Sequence, residues 1–130
     1  MPFVTTREEA ARSALGSDVV IVGGWGFVSN LLPIDLDNDR TPLPEGVEPQ
    51  VKKIFSNLDA LLAGTKLTKD NVVSVRVHLT ELPRLYERMN AAYVGKFAAD
   101  RLPARSVVGV ANLVRGAQVM MDFVLCEARP

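Results

Sequence analysis

The segment D-R-L-P-A-R-S-V-V-G-V-A-N-L, residues 100–113, places a proline turn and one arginine directly before a run of apolar residues. Pro103 cannot continue a helix, and the valines that follow favour an extended strand. Arg105 therefore lies at the start of a strand, which fixes the direction of its side chain. The planar guanidinium offers paired donors that suit a carboxylate or a phosphate. Two interpretations remain open here: a surface ion pair with a neighbouring acid, or a binding site for an anion.

Upstream of this segment, the sequence predicts several short strands before the first helix. A short edge strand is predicted at residues 3–6, followed by a brief, helix-compatible link at residues 7–15. A buried strand is predicted at residues 18–22, because this run is apolar and rich in β-branched side chains, and an extended pattern resumes at residues 25–28. Gly23 and Gly24 separate these two strands, as at a bulge or a close backbone approach.

The clearest helix follows a turn-rich loop at residues 36–48. Its apolar side chains recur with a helical period, and Gly64 is placed to cap its C-terminus. The apolar positions are Val51, Ile54, Phe55, Leu58, Leu61 and Leu62. The polar positions Lys52, Lys53, Asn57 and Asp59 are expected on the opposite, solvent-facing side.

The alternating strand at residues 72–80 has one apolar and one polar side. The apolar side comprises Val73, Val75, Val77 and Leu79, and the polar side comprises Ser74, Arg76 and His78. We expect the apolar side to face the core and the polar side to meet water or another subunit.

The rest of the chain adds one helix and two strands. Pro83 begins the second helix, which is predicted to run to residues 99–100, with an apolar stripe that includes Tyr93 and Phe97. Residues 106–112 and 118–127 are predicted strands, joined by a short hairpin connection at residues 115–117. The resulting fold class is α+β: a mostly antiparallel sheet with two helices on one face, in one domain spanning residues 1–130.

Charge and composition exclude several classes of partner. Fifteen basic and fifteen acidic side chains give a net charge of 0, and no basic stretch is interleaved with aromatics. We therefore expect no nucleic-acid partner. The longest uncharged stretch, residues 19–34, contains three glycines and a proline and is too short to span a bilayer. We expect no membrane partner either.

The N-terminal residues and the cysteine content predict a location. Arg7, Glu8 and Glu9 precede any apolar run, so no signal peptide is expected. Cys126 is the one cysteine in the sequence and is interpreted as a packed, reduced thiol. Both observations favour the cytoplasm.

The sequence completes no metal or cofactor motif. Asp35, Asp37 and Asp39 are spaced like the start of a calcium loop, but Arg40 stands where that loop needs a glycine. We interpret the stretch as a solvated turn. His78 is the only histidine, and we place it on a half-exposed sheet face rather than in a transition-metal site. No metal and no cofactor is predicted.

Longer stretches resemble a known family. The P-A-R-S stretch at residues 103–106 and the N-A-A-Y stretch at residues 90–93 are similar to blocks of the RidA family, also called YjgF, the enamine/imine deaminases. The V-H-L-T-E-L stretch at residues 77–82 and the N-L-D-A-L-L stretch at residues 57–62 resemble its strand end and first helix. The resemblance covers residues 18–125, which is most of the chain.

The resemblance implies a fold, an assembly and an activity. The fold is chorismate-mutase-like, and the assembly is a homotrimer with three clefts between subunits. The activity is hydrolysis of reactive imines and enamines, such as 2-aminoacrylate, to a keto acid and ammonia. The small-molecule carboxylate substrate would be bound by Arg105, which is thus the implied catalytic residue. The resemblance also places Val107, Asn90, Gly24 and Trp25 at the substrate.

The departures from the family concern polar groups of the pocket. Met120 stands where the family has a glutamate credited with assisting the attacking water, and a thioether cannot transfer a proton. Met120 is therefore expected as an apolar wall of the pocket. Asp122 is expected on the same strand face, about 6–7 Å further along, too far to replace the glutamate without a water chain. Val107 also stands where many members have a cysteine.

Two functions from different classes follow from this pattern. The first is a RidA-like hydrolase of imine- or enamine-type small carboxylates, with an atypical pocket that lacks the family glutamate. The second is a non-catalytic sensor or partner protein of the same fold, which binds a small carboxylate without turning it over. Imine turnover that depends on Arg105 discriminates between them.

Overall fold

The computed structural model describes residues 3–4, 16–38 and 40–128. The elements are β1 (Phe3–Val4), β2 (Val19–Val22), β3 (Trp25–Leu31), α1 (Val47–Leu62), β4 (Val72–Thr80), α2 (Leu82–Tyr93), β5 (Ala104–Val110) and β6 (Val119–Cys126). The predicted link at residues 7–15 and the end of the edge strand, residues 5–6, lie outside the described residues. Neither of the two described helices is long and apolar enough to cross a membrane.

The six strands form one sheet in the order β1-β2-β3-β6-β4-β5. All pairs are antiparallel except β4 with β5, which run parallel. A parallel pair needs a crossover connection, and α2 provides it between β4 and β5. Strand β6 therefore lies on the other side of β4, and the predicted hairpin at residues 115–117 between the last two strands is wrong. The mostly antiparallel sheet is confirmed.

Both helices pack against the same face of the sheet, as predicted. Helix α1 contacts β3 and β6, and α2 contacts β4 and β5. The core lies between the layers, where alternate residues of β6 are fully buried: Val119, Met121, Phe123 and Leu125. The intervening residues of β6 are partly exposed on the other side of the sheet. No described helix packs on this side, which we call the open face; it carries Met120, Asp122, Val124 and Cys126 from β6.

Helix α1 begins at Val47, inside the region that the sequence predicted as a loop. Its apolar stripe is buried as expected. Asn57, however, is only 2% exposed and not on the solvent side. Its Nδ2 donates hydrogen bonds to the carbonyl oxygens of Leu32 (3.0 Å) and Ile34 (2.8 Å). A polar side chain is tolerated there because it provides hydrogen-bond donors for two backbone carbonyl groups of the β3–α1 connection.

Helix α2 ends at Tyr93, well before residues 99–100. Gly95 has a φ of 86°, a left-handed conformation that terminates helices readily. Phe97 is thus not on a helical stripe but still buried, because its ring meets Phe55 edge-on at 5.5 Å between centroids. Phe55 makes similar contacts with Tyr93 and Phe123. Each such pair contributes roughly 0.5–1.5 kcal/mol beyond its buried area.

The alternation of β4 is confirmed except at its first residues. Val75, Val77 and Leu79 are buried as predicted, but Val72 rather than Val73 joins the core. A register shift against β6 between Val72 and Ser74 moves the pattern by one residue, as a bulge does. The predicted strand at residues 106–112 also lies two residues earlier, at Ala104–Val110.

Replacing Asn57 with aspartate is expected to destabilise the fold. The variant keeps the shape of the side chain but removes both donors and sets a carboxylate against two carbonyl oxygens. We expect a loss of about 1–3 kcal/mol in the free energy of unfolding, measured by urea denaturation. The matched control is Asp59→Asn on the exposed side of α1, where a change within about 0.5 kcal/mol is expected. An equally small effect at both positions would contradict the assigned role of Asn57.

The ion pair between the two helices predicts a pH effect. Two hydrogen bonds from Arg88, each 2.9 Å, lower the pKa of Glu48 from 4.5 to about 2. A carboxyl with a depressed folded-state pKa stabilises the fold above its unfolded pKa and loses this effect as the pH falls through the folded value. The stability difference between the wild type and Glu48→Gln should be constant above pH 4.5 and shrink between pH 4.5 and about 2. A difference that does not change with pH in urea denaturation would contradict it.

Candidate functional site

Arg105 is the second residue of β5, an edge strand of the sheet. It lies directly beside Val75 in the parallel pairing of β5 with β4. Because paired residues point to the same side of a sheet and Val75 is buried in the core, Arg105 projects toward the helices. The predicted position at the start of a strand is confirmed, and the strand directs the guanidinium to α2.

Three side chains of α2 hold the guanidinium. The Arg105 Nη2 donates to Asn90 Oδ1 and lies 3.6 Å from the sulfur of Met89. The guanidinium carbon lies 4.4 Å above the centroid of the Tyr93 ring. Asn90 and Tyr93 are three residues apart and so lie on one face of the helix. A cation held over an aromatic ring gains about 0.5–2 kcal/mol, more when it is shielded from water.

The charge of Arg105 is not neutralised by the part of the chain that the structure describes. Its partners there are an amide, a thioether and an aromatic ring, and no described carboxylate forms an ion pair with it. A surface ion pair, the simpler interpretation of the sequence, is therefore not what these residues form. The arrangement orients a cation and leaves part of its donor fork free for an anion.

Tyr93 is a site residue that the sequence interpretation placed only on the apolar stripe of its helix. Burial raises the pKa of its hydroxyl, while the positive charge of Arg105 acts in the opposite direction. The three-residue spacing from Asn90 was the available signal. It indicated a shared helix face, but the sequence could not show that Arg105 would lie on it.

Val107 shares a strand face with Arg105, as the sequence implied. It is partly buried against the core and pairs with Val77. The two β5 side chains are two residues apart, which corresponds to about 6–7 Å along a strand. Arg105, Asn90 and Val107 are thus brought together in one chain.

Gly24 and Trp25 are not brought to Arg105 within one chain. Gly24 lies in the turn between β2 and β3 with a φ of 82°, and Trp25 begins β3. Strand β3 is separated from β5 by β6 and β4, a distance of about 14 Å at the usual strand spacing. Trp25 is 45% exposed and pairs with Cys126 on the open face.

Met120 lies on the opposite side of the sheet from Arg105. It alternates with the buried Met121 and therefore projects from the open face. Its partner in the antiparallel pairing is His78 of β4. Within one chain, then, a ligand bound to Arg105 cannot touch Met120 across the sheet.

The open face holds a polar cluster beside Met120 that the sequence interpretation left without a role. His78 Nε2 lies 3.9 Å from Asp122 Oδ2, and the side chains are 18% and 33% exposed. Asp122 Oδ1 accepts a 2.6 Å hydrogen bond from the backbone N–H of Asn30. Arg76 Nε donates to Ser106 Oγ at 3.4 Å on the same face. The half-exposed position predicted for His78 is confirmed, as is the shared face of Met120 and Asp122.

A separate groove of about 850 Å³ lies at the other end of β5. Residues 42–46 and 111–118 line it, together with Gln50, Thr80 and Glu81. It begins after Val110, about 16 Å from Arg105 along the strand. None of the predicted site residues lines this groove, so it does not complete the Arg105 site.

The acidic stretch before α1 forms a turn, as predicted. Asp35 Oδ1 accepts hydrogen bonds from the N–H groups of Asp37 (2.9 Å) and Asn38 (3.2 Å). These bonds, above all the one from Asp37, lower the pKa of Asp35. Asp39 lies outside the described residues. Residues 3–4, 16–38 and 40–128 contain no group of three or more histidine, cysteine or acidic side chains that could hold a metal ion.

Known proteins with similar sequences cover most of the chain. The family model Endoribonuclease L-PSP matches residues 7–125. A RutC family protein of Aquifex aeolicus is 33% identical over 109 residues, which are 83% of this chain and 85% of the relative. The mitochondrial protein MMF1 of Saccharomyces cerevisiae is 28% identical over 124 residues, which are 95% of this chain and 83% of the relative.

Solved structures of the Rid family have the same architecture. YyfA from Yersinia pestis, described as a Rid family protein of unknown function, is 25% identical and superposes with a TM-score of 0.85 over 95% of this chain and 97% of that chain. RidA from an Antarctic Psychrobacter is 29% identical, with a TM-score of 0.78 over 94% and 98% of the two chains. The resemblance inferred from the sequence is confirmed: this chain belongs to the Endoribonuclease L-PSP family, that of the RidA and YjgF proteins.

Proposed function

We propose that this protein hydrolyses imines and enamines of small carboxylic acids, giving a keto acid and ammonia. The observation that carries the proposal is the guanidinium of Arg105, which Asn90 and Tyr93 orient and no described carboxylate neutralises. An oriented cation of this kind binds a carboxylate in a fixed direction. Family membership supports a RidA-like role in general, and the arginine narrows it to carboxylate substrates.

We propose that the site forms between copies of the chain in a homotrimer. Met120, Gly24 and Trp25 lie away from Arg105 within one chain, so they can meet its ligand only from a second copy. The open face also displays large apolar side chains that favour burial against another protein surface. The exposed members are Val22, Trp25, Phe27 and Val108.

The groups around the substrate would be mostly apolar. Val107 beside Arg105, with Met120 and Trp25 from the neighbouring copy, would contact the part of the substrate beyond its carboxylate. A wall of this kind favours an apolar substituent over a polar one, because it offers no hydrogen-bonding partner. We therefore propose that imines bulkier or more apolar than 2-aminoacrylate are preferred.

Catalysis by such a site would rest mainly on orientation. Imine hydrolysis is chemically easy, and holding the substrate in a fixed position beside water removes much of the entropic barrier. General acid–base help typically adds about 10²–10⁴-fold, and Met120 cannot supply it. The absence of the family glutamate should therefore slow the reaction without abolishing it.

Met120 also supports a second candidate function. With a thioether in place of a proton-transfer group, the same cleft could bind a small carboxylate as a sensor and leave it unchanged. RNA cleavage, which the family name Endoribonuclease L-PSP suggests, gains no support from this chain, because its net charge is 0. The cytoplasmic location remains a prediction from the sequence.

An imine-trapping assay tests the hydrolase directly. An amino-acid oxidase generates the imine, semicarbazide traps it, and added protein should reduce the trapped fraction. We expect Arg105→Ala to lower kcat/KM by about 10²-fold, because a charge-assisted, paired hydrogen bond is lost. The control Arg84→Ala removes an exposed arginine that pairs with Glu81 at the start of α2, and it should behave like the wild type.

The same assay separates the two candidate functions. If the wild type leaves the trapping of both small and bulky imines unchanged, the hydrolase proposal fails. Carboxylate binding that is seen by calorimetry and lost in Arg105→Ala would then identify the sensor.

The role of position 120 has its own test. Met120→Glu should raise the rate on small imines, because it adds a group that can transfer a proton. Met120→Gln has a similar shape and polarity but cannot act as a base at neutral pH, and it should not raise the rate. Equal rates for the wild type and both variants would show that proton transfer at this position does not limit turnover.

A further inference from the structure

His78 is the titratable group nearest to Met120 on the open face. The two residues are direct partners across β4 and β6, which places their Cβ atoms about 4.5–5.5 Å apart. In the sequence alone, the one candidate to replace the missing family glutamate is Asp122, which lies two residues further along β6 than Met120. The pairing of the strands adds an imidazole beside that position.

Asp122 is held in place by a local distortion of β3. The register between β3 and β6 shifts between Val28 and Leu31, and Asn30 within this bulge has a φ of 57°. A non-glycine residue in this left-handed region is uncommon, although asparagine tolerates it best. The distortion directs the N–H of Asn30 at Asp122 Oδ1 at 2.6 Å. The second oxygen of the carboxylate is left for His78.

The surroundings of the imidazole determine which nitrogen can act. His78 Nδ1 is buried and has no hydrogen-bond partner among the described residues. Nε2 is the nitrogen near Asp122, at 3.9 Å from Oδ2. Among the described residues, the charged groups facing this position are Asp122 from β6 and Arg76 from β4 itself, while the β5 neighbours Ser106 and Val108 are uncharged. Nε2 is therefore the ring nitrogen available for chemistry.

The gap between the two groups fits a water molecule. At 3.9 Å, Nε2 and Oδ2 are too far apart for a good direct hydrogen bond. A water about 2.8 Å from both atoms would make an angle near 90° at its oxygen, within the usual hydrogen-bond distance of each. Such a water donates one hydrogen to each acceptor and directs its lone pairs away from the sheet.

We propose that His78 and Asp122 hold and activate the attacking water in place of the missing glutamate; this inference rests on the proposed imine hydrolysis in a cleft between copies. Arg105 of one copy binds the substrate carboxylate, and the open face of the neighbouring copy supplies the water. His78 is then a catalytic residue, since it touches the reacting water, and Asn30 is a positioning residue.

The reaction balances without any further reactant. The water oxygen attacks the imine carbon, the C=N electron pair moves to nitrogen, and His78 Nε2 takes the proton that the water loses. The imidazolium returns this proton to the nitrogen. The hydroxyl of the resulting carbinolamine then gives its proton to the same pair, which passes a proton on to the nitrogen. The C–N bond breaks as the hydroxyl oxygen becomes C=O, the nitrogen leaves as ammonia, and the pair is back in its starting state.

The first test compares pH–rate profiles of the wild type, His78→Gln and Asp122→Asn in the imine-trapping assay. His78→Gln should lower kcat by about 10²-fold with KM little changed, and its pH–rate profile should differ from that of the wild type, because a proton-transfer group is lost. Asp122→Asn should lower kcat as well. Ser74→Ala, on the same face of β4, is the control and should keep the wild-type profile. Thermal unfolding of each variant checks that it folds.

The second test mixes two impaired variants, Arg105→Ala and His78→Gln, by joint refolding in equal amounts. If the two residues serve one site from neighbouring copies, about a quarter of the sites in random trimers regain both groups, and activity rises accordingly. If both act from the same chain, no site is restored, and the inference is overturned.

The outcomes separate this inference from the function on which it rests. A wild type that does not hydrolyse any imine overturns both. A wild type that does so, with His78→Gln showing the same kcat and pH profile, overturns the role of His78 alone and leaves the hydrolase proposal standing. If a variant loses thermal stability but keeps its rate and pH profile, His78 and Asp122 serve only the packing of the open face. This result also overturns the inference.

Discussion

The position of β6 in the middle of the sheet is the constraint on which the rest of the structure depends. This last strand pairs with β3 on one side and β4 on the other, and so joins the two halves of the chain. One of its faces is completely buried, so a shift by one residue would expose Phe123 and bury Asp122. The register is therefore fixed, and with it the side of the sheet on which every candidate residue lies. Met120 must face away from the helices, and Arg105, beside the buried Val75, must face toward them.

This division has a functional consequence. A carboxylate bound to Arg105 and the side chain of Met120 lie on opposite faces of the sheet. The core is packed between the helices and one of these faces, so there is no channel through the sheet from one face to the other. The two halves can serve one ligand only if a second copy brings its open face to Arg105. The polar cluster of His78 and Asp122, beside exposed apolar side chains, then acquires a use that it lacks in a single chain. The proposed assembly and the proposed chemistry therefore depend on each other.

Much of the fold could be predicted because it depends on local patterns. The period of α1 and the alternation of β4 identify these elements directly, and the P-A-R-S and N-A-A-Y blocks identify the family. The predicted hairpin between the last two strands was wrong because strands that follow each other in sequence need not pair in the sheet. Helix α2 crosses over so that β5 runs parallel to β4, and β6 pairs with the other side of β4. Asn57 was misplaced because its two carbonyl partners come from a different segment. The pairing of His78 with Met120 has the same origin: it follows from long-range register, which no local pattern contains.

The central claim is that one ligand lies between Arg105 of one copy and the open face of another. A crystal structure of the protein with a bound 2-keto acid, the proposed product, tests it most directly. The account predicts the carboxylate on the Arg105 guanidinium and the rest of the ligand against Met120 of the neighbouring copy, with His78 near its keto group. A ligand that lies within one chain, or one whose carboxylate makes no contact with Arg105, would contradict it.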